Sequence, residues 1–258
     1  MCVIVVSDKK VKKDIIEKCW DANPHGAGFS VCDTDRVYYH RGIMKLNDFL
    51  KCYDEEVAEG KKHVLHFRIP SKGDRGANMT QPFPIDNDYL IDLKIAMAKN
   101  NTISKKNETG YATAALSHNG TISSIGDNKF SDSFYAAYIL SKMASELDYA
   151  ETLGILSDYS RFAITFPNRV SIVGDFEEYE GMYFSNMYWN IGQSAFRYYD
   201  YQGYLKSDDN KEDTDAELSG VGMIYCDKKK SFIYRKYCED CKVSTEYLCD
   251  TSNYCNEY

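Results

Sequence analysis

Through the first 185 residues, short runs of β-branched and aromatic side chains alternate with Gly, Asn and Asp. They read CVIVV at 2–6, AGFSVCD at 27–33, RVYYHRG at 36–42, HVLHFRI at 63–69, AALSHNG at 114–120 and RFAITFPNRVSIVG at 161–174. Runs of this length and composition, closed by turn formers, predict strands. In FSVCDTDRVYYH, Asp33, Thr34 and Asp35 supply the turn of a hairpin. Between the strands the period changes. Residues 11–20 place Val11, Ile15, Ile16, Cys19 and Trp20 on one helical face, and residues 46–58 do the same with Leu46, Phe49, Leu50, Tyr53 and Val57. A third helix is expected over 131–145, with Ser131 or Asp132 as its N-cap. Strands joined by hairpins, with helices before and between them, predict an α+β fold of antiparallel sheets covered by helices. Residues 98–110 are polar without apolar periodicity and read as a mobile insertion. Residues 206–218 read as an acidic linker, dividing a main domain (1–205) from a Cys-rich tail (206–258).

Charge and cysteine usage narrow the function classes. A net charge of -8 with a pI near 5.2 argues against a nucleic-acid partner, which would need clustered Lys and Arg. The apolar run from Cys2 to Val6 is closed at once by SDKKVKKD, so it predicts neither a signal peptide nor a membrane anchor, and the expected location is cytoplasmic. Five of the nine cysteines fall in the last 33 residues. Without a secretion signal, this clustering reads as free thiols or a metal site before a disulfide framework. Cys238, Cys241, Cys249 and Cys255 have the spacing C-x2-C-x7-C-x5-C, which offers four thiolates for a structural zinc in the tail; free thiols are the alternative.

Four segments carry candidate chemistry, each with a plain structural reading beside it. Cys2 is either a small strand residue or, if Met1 is removed, a nucleophile whose own α-amino group serves as base. Such an amine has a pKa of roughly 7.7–8.0, so part of it is neutral near physiological pH. Arg68, at a strand end before a Pro, Ser and Gly turn, is either a surface arginine or a planar fork for a carboxylate. Asn119-Gly120 is a hairpin signal, and it is also a side-chain amide next to a backbone N–H, the equipment of an oxyanion hole. Asp132 is a helix cap or a carboxylate for an ammonium group.

The order of these segments carries more than any one of them. An N-terminal Cys followed by NPHGAGF, HFRIPSKG, QPF, HNGTI and SDS resembles the glutaminase domain of the class II glutamine amidotransferases, which are N-terminal-nucleophile hydrolases, over residues 2–185. The resemblance implies a four-layer αββα sandwich of two antiparallel sheets. It implies that Cys2 attacks the glutamine side-chain amide to form a γ-glutamyl thioester, that Asn119 and Gly120 stabilise the oxyanion, and that water then releases glutamate. Arg68 would hold the substrate carboxylate and Asp132 its ammonium, with Ser71, Gly73 and His118 completing the substrate-binding set. No cofactor is required for this chemistry. Where the family often has Gly after the nucleophile this chain has Val3, and where the family has Ala-Thr after the arginine loop's first residues this chain has Pro70-Ser71, which keeps a hydroxyl. Some 70 residues follow the matched region, without a phosphate-cradling glycine loop, so a stand-alone glutaminase serving a separate ammonia-acceptor enzyme is expected. The alternatives are a catalytically silent amino-acid-binding or interaction module on the same fold, or a hydrolase of another linear amide.

Overall fold

The computed structural model describes residues 2–70, 73, 75–98, 107–143, 145–156, 159–190, 223–226 and 231–234. The chain divides into two units, Met1–Tyr204 and Leu205–Tyr258. In the second, strands β12 (Met223–Cys226) and β13 (Ser231–Tyr234) form an antiparallel hairpin. The first unit holds β1 (Val3–Ser7), α1 (Lys13–Ala22), β2 (Ala27–Cys32), β3 (Val37–Ile43), α2 (Leu46–Glu56), β4 (His63–Phe67), β5 (Phe83–Pro84), α3 (Asn87–Ala98), β6 (Glu108–Ala112), β7 (Ala115–Asn119), α4 (Asp132–Leu140), α5 (Tyr149–Leu156), β8 (Arg161–Thr165), β9 (Val170–Val173), β10 (Glu177–Tyr179) and β11 (Met182–Phe184).

These strands make two antiparallel sheets, one in the order β10-β11-β1-β4-β2-β3-β6 and one in the order β5-β7-β8-β9. The two-residue period of a strand sorts the side chains into layers. Val3, Val5, Phe29, Leu65 and Phe67 point to one side, where they pack with Ile15, Ile16, Trp20, Phe49 and Tyr53 of α1 and α2. The alternate residues Ile4 and Val64 point the other way and meet Ala163 of the second sheet. Ser30 and Thr165 join across the same gap by a 2.7 Å hydrogen bond between hydroxyls. On the far side of the second sheet, Leu116, Phe162 and Ile164 pack against Leu90, Phe134 and Leu153 of α3, α4 and α5. The first unit is therefore α+β with helices outside and two sheets inside, in the layer order αββα.

The predicted strands, the 33–36 turn and the second helix stand where the sequence pattern places them, while the first helix begins two residues later than expected, at Lys13, with Val11 buried just ahead of it; Asp33 N–H donates to Arg36 O in the turn. The third helix is shorter than expected and ends at Leu140, with Ser131 as its N-cap, its hydroxyl accepting from Phe134 N–H. Helices α3 and α5 were not signalled by a one-sided stripe. One correction concerns the polar stretch at 98–110. Its last residues, Glu108 to Gly110, belong to edge strand β6, which pairs with β3 in the register His40↔Thr109 and Arg41↔Glu108. Such a strand is held by backbone pairing and by polar contacts, among them Tyr89 O–H donating to Glu108 at 2.9 Å, so it needs no apolar alternation. Residues 99–106 lie outside the described residues. No helix among the described residues is long and apolar enough to cross a membrane.

Candidate active site

The same two-residue period brings the candidate residues to one end of the inter-sheet layer. Val3 pairs with Phe67 and Ala27 with Phe67, so Cys2, Arg68 and Gly26 lie one step beyond the paired strands. Cys2 and Arg68 share the parity of Ile4, Val64 and His66, whose side chains turn toward the second sheet. Arg68 N–H donates to Gly26 O at 2.9 Å, and His25 N–H donates to Arg68 O at 3.1 Å, so the glycine turn at 26 fixes the backbone of the arginine. Arg68 is 2% exposed, which removes the surface-arginine reading.

Cys2 is half-buried. Its thiol lies 3.3 Å from Ile69 O, to which it donates, and 3.4 Å from Ile69 N, from which it accepts. Burial pushes the thiol above its ordinary value of 9.0; the chain's terminal ammonium, the Ile69 N–H and Arg68 pull the other way. The Cys2 backbone is pinned from the far end of the fold. Asn186 Nδ2 donates to Cys2 O at 2.7 Å, and Ser185 N–H donates to Ile4 O at 3.0 Å.

A narrow cleft of about 20 Å3 joins Cys2, Arg68, Gly120, Asp132, His118 and Gln81, with Ile69-Pro70 and Ser131-Ser133 completing its wall. Five of the sequence-derived residues, Cys2, Arg68, His118, Gly120 and Asp132, thus line one space from just before β1, just after β4, the end of β7 and the start of α4, whereas Asn119 is not part of that lining. Asp132 Oδ2 accepts from Ile122 N–H and Oδ1 from Ser133 N–H, each at 2.8 Å. It occupies the first turn of α4 and is not the cap. Gly73, at φ +78, packs so closely on this turn that a Cβ would stand 2.6 Å from Ser131 N, so its role is to let the arginine loop approach α4. Ser71 lies outside the described residues, as do Cys238, Cys241, Cys249 and Cys255.

Asn119 and Gly120 do not form a two-residue hairpin. The strand β7 ends at Asn119, and its partners are β5 and β8. Gly120 has φ +148, and a Cβ there would meet Ser160 Oγ at 2.4 Å, so only glycine fits. Asn119 is buried, points into the inter-sheet layer, and donates from Nδ2 to Ser185 Oγ at 2.9 Å, while its Oδ1 has no partner among the described residues. Ser185 Oγ also accepts from Ile4 N–H at 2.9 Å. Exchanging the two amide atoms, which have the same shape, lets the Ser185 hydroxyl donate to the Asn119 carbonyl and leaves the NH2 where the unpartnered oxygen now sits.

His118 points to the opposite side of β7. Its Nδ1 meets Ser133 Oγ and its Nε2 meets Ser160 Oγ, both at 2.9 Å, and the ring stacks on Phe162 at 4.6 Å. With both nitrogens occupied and burial lowering its pKa to about 4, the ring is a neutral brace of the cleft wall. Gln81 extends the brace: Oε1 accepts from His118 N–H at 2.6 Å and Nε2 donates to Ser133 Oγ at 2.9 Å. His66 Nε2 lies 3.2 Å from His118 O, and burial takes its pKa to about 3.

Sequence reasoning did not single out Ser133, Ser160, Ser185 and Asn186. Ser133 sits inside the SDS segment and had a local signal; the other three carry none, because their partners lie 42 to 184 residues away.

No family model matches the chain, and no curated protein matches it. Among solved structures it is similar to the glutamine phosphoribosylpyrophosphate amidotransferase of B. subtilis complexed with ADP and GMP, with a TM-score of 0.46 and 15% identity over 71% of this chain. It is also similar to the allosteric regulatory enzyme of purine biosynthesis, with a TM-score of 0.45 and 16% identity over 71% of this chain. The chain spans 41% of the length of each of these neighbours.

Proposed function

We propose that the first unit is a glutamine amide hydrolase in which Cys2, freed by removal of Met1, is the nucleophile. The observation that carries this reading is the single cleft lined by a thiol, a buried guanidinium and a carboxylate, with a positive-φ glycine at its edge. A zwitterionic amino acid needs one cation for its carboxylate, one anion for its ammonium and a nucleophile at the far end of its side chain. Arg68, Asp132 and Cys2 supply one of each. The N–H of Gly120 and the exchanged amide of Asn119 would donate to the oxyanion as the tetrahedral intermediate forms.

While Met1 remains, the Cys2 nitrogen is an amide without a basic lone pair, and burial holds the thiol protonated. Removal of Met1 would create an amine on the same residue that can take the thiol proton and return it to the departing ammonia. A γ-glutamyl thioester and ammonia form first; water then attacks the thioester, giving glutamate and restoring the thiol. The cleft holds little more than a water molecule, so glutamine must part the Ile69-Pro70 wall from the Ser131–Ser133 turn as it binds. Delivery of the ammonia to a separate acceptor enzyme belongs to the same reading.

The test is glutamate release from glutamine by protein whose N-terminus is verified as Cys2. Activity is expected for this form and not for Cys2→Ala or for protein retaining Met1. Equal release by all three would overturn the assignment.

A further inference from the structure

A second group of reactive side chains lies outside the cleft, on the helix-covered face of the seven-stranded sheet. Cys52 and Glu56 are four residues apart and so share a face of α2, and His40 of β3 faces them. His40 Nδ1 is 2.8 Å from Glu56 Oε2, and Tyr38 O–H donates to that same oxygen at 2.7 Å. Donor atoms from His40, Cys52 and Glu56 lie within 4.8 Å of one another. His40 is 2% exposed, and its other ring nitrogen, Nε2, has no hydrogen-bond partner among the described residues. Neutral imidazole is the form in which histidine binds metals. Glu56 and Tyr38 also line a surface cavity of about 220 Å3, with Lys61 and Tyr111 on its rim.

We propose that His40, Cys52 and Glu56 bind a divalent transition metal, zinc foremost, with a fourth position open to the cavity for water or an external ligand. One nitrogen, one sulfur and one oxygen donor suit zinc, whereas calcium and magnesium require oxygen ligands throughout. Tetrahedral coordination at ordinary bond lengths brings donor atoms to about 3.3–3.8 Å of one another. The His40–Glu56 pair is already closer than this, and the half-buried Cys52 has only a short adjustment to make. Binding displaces the thiol proton to solvent, and the neutral ring keeps its one proton on the nitrogen that does not face the metal, with no change in oxidation state. A plain ion pair would account for the 2.8 Å contact but gives Cys52 no part.

The test must separate this site from the tail cysteines. The full chain carrying Cys238→Ala, Cys241→Ala, Cys249→Ala and Cys255→Ala is stripped with chelator and titrated with zinc and then cobalt. One equivalent of metal and a cobalt–thiolate charge-transfer band are expected. Adding either Cys52→Ala or Glu56→Gln should abolish the band or weaken binding by more than about 100-fold, with the metal-free melting temperature showing that each variant is folded. Failure of the tail-substituted chain to bind an equivalent would overturn the proposal, as would a cobalt spectrum and affinity indifferent to both added substitutions.

Discussion

In the proposed reading, substrate choice turns on Arg68 and Asp132, each of them buried at the cleft. Charge-assisted hydrogen bonds contribute about 1.5–3 kcal/mol, which is roughly 10- to 150-fold in binding. Asp132→Asn is therefore expected to lower kcat/KM for glutamine by about that factor and to narrow its advantage over the same amide lacking the α-ammonium. Parallel kinetics on the two substrates check this; an unchanged ratio would remove Asp132 from ammonium recognition. Gly120 is constrained for a steric reason. A Cβ would come within 2.4 Å of Ser160 Oγ and 2.9 Å of its Cα, at a backbone angle that L residues rarely adopt. Gly120→Ala should cost about 1–3 kcal/mol in urea unfolding and disturb the His118 brace through Ser160.

At the scale of elements, the site depends on how β3 grips the segment that follows the arginine loop. Arg41 is 1% exposed and donates through its guanidinium to the carbonyls of Asn78 and Thr80 and to Tyr89 O–H, with its plane over Phe83. Thr80 Oγ1 accepts from Gly42 N–H at 2.6 Å. This clamp places Gln81, whose side chain holds His118 N–H and Ser133 Oγ. Arg41→Met would leave those buried carbonyls unsatisfied, and a loss of about 3–5 kcal/mol is expected in denaturant melts. Arg41→Lys should rescue little of it, because an ammonium cannot reproduce the fork. The strands were legible as short apolar runs closed by turn formers, as in Val3-Ile4-Val5, and the amphipathic helices by a one-sided stripe, as in Ile15, Ile16, Cys19 and Trp20. Helix α3 was not, since its polar residues are spread around the helix. Edge strand β6 was not either, since its ladder with β3 is a backbone property. Of the cleft's lining, Cys2, Arg68, Gly120 and Asp132 were legible, since they sit in recognisable segments. Its supports at Ser160, Ser185 and Asn186 were not, because a serine or asparagine shows its partner only once the strands are assembled.

For the whole molecule, two buried imidazoles couple the fold to acid. His66 and His118 have pKa values lowered by burial to about 3 and about 4, against an ordinary value of 6.5. Both are neutral in the native state at neutral pH, and the unfolded chain binds their protons first as pH falls. Stability from these two groups is thus complete above pH 6.5 and declines as pH drops from there toward 4 and 3, by about 1.4 kcal/mol per pH unit for each proton taken up. Urea midpoints measured across that range should fall, with a smaller slope in His118→Asn. The αββα layering gives these rings their burial and gives Cys2 its place at the mouth of the inter-sheet layer. Whether that place is a nucleophile's is tested most directly by acid-quenching the Cys2-terminated protein during turnover of glutamine and weighing its N-terminal peptide. The account predicts a glutamyl adduct on Cys2, absent from protein retaining Met1 and from Cys2→Ala. Steady glutamate release from the Cys2→Ala protein, with no adduct on the unsubstituted chain, would contradict it.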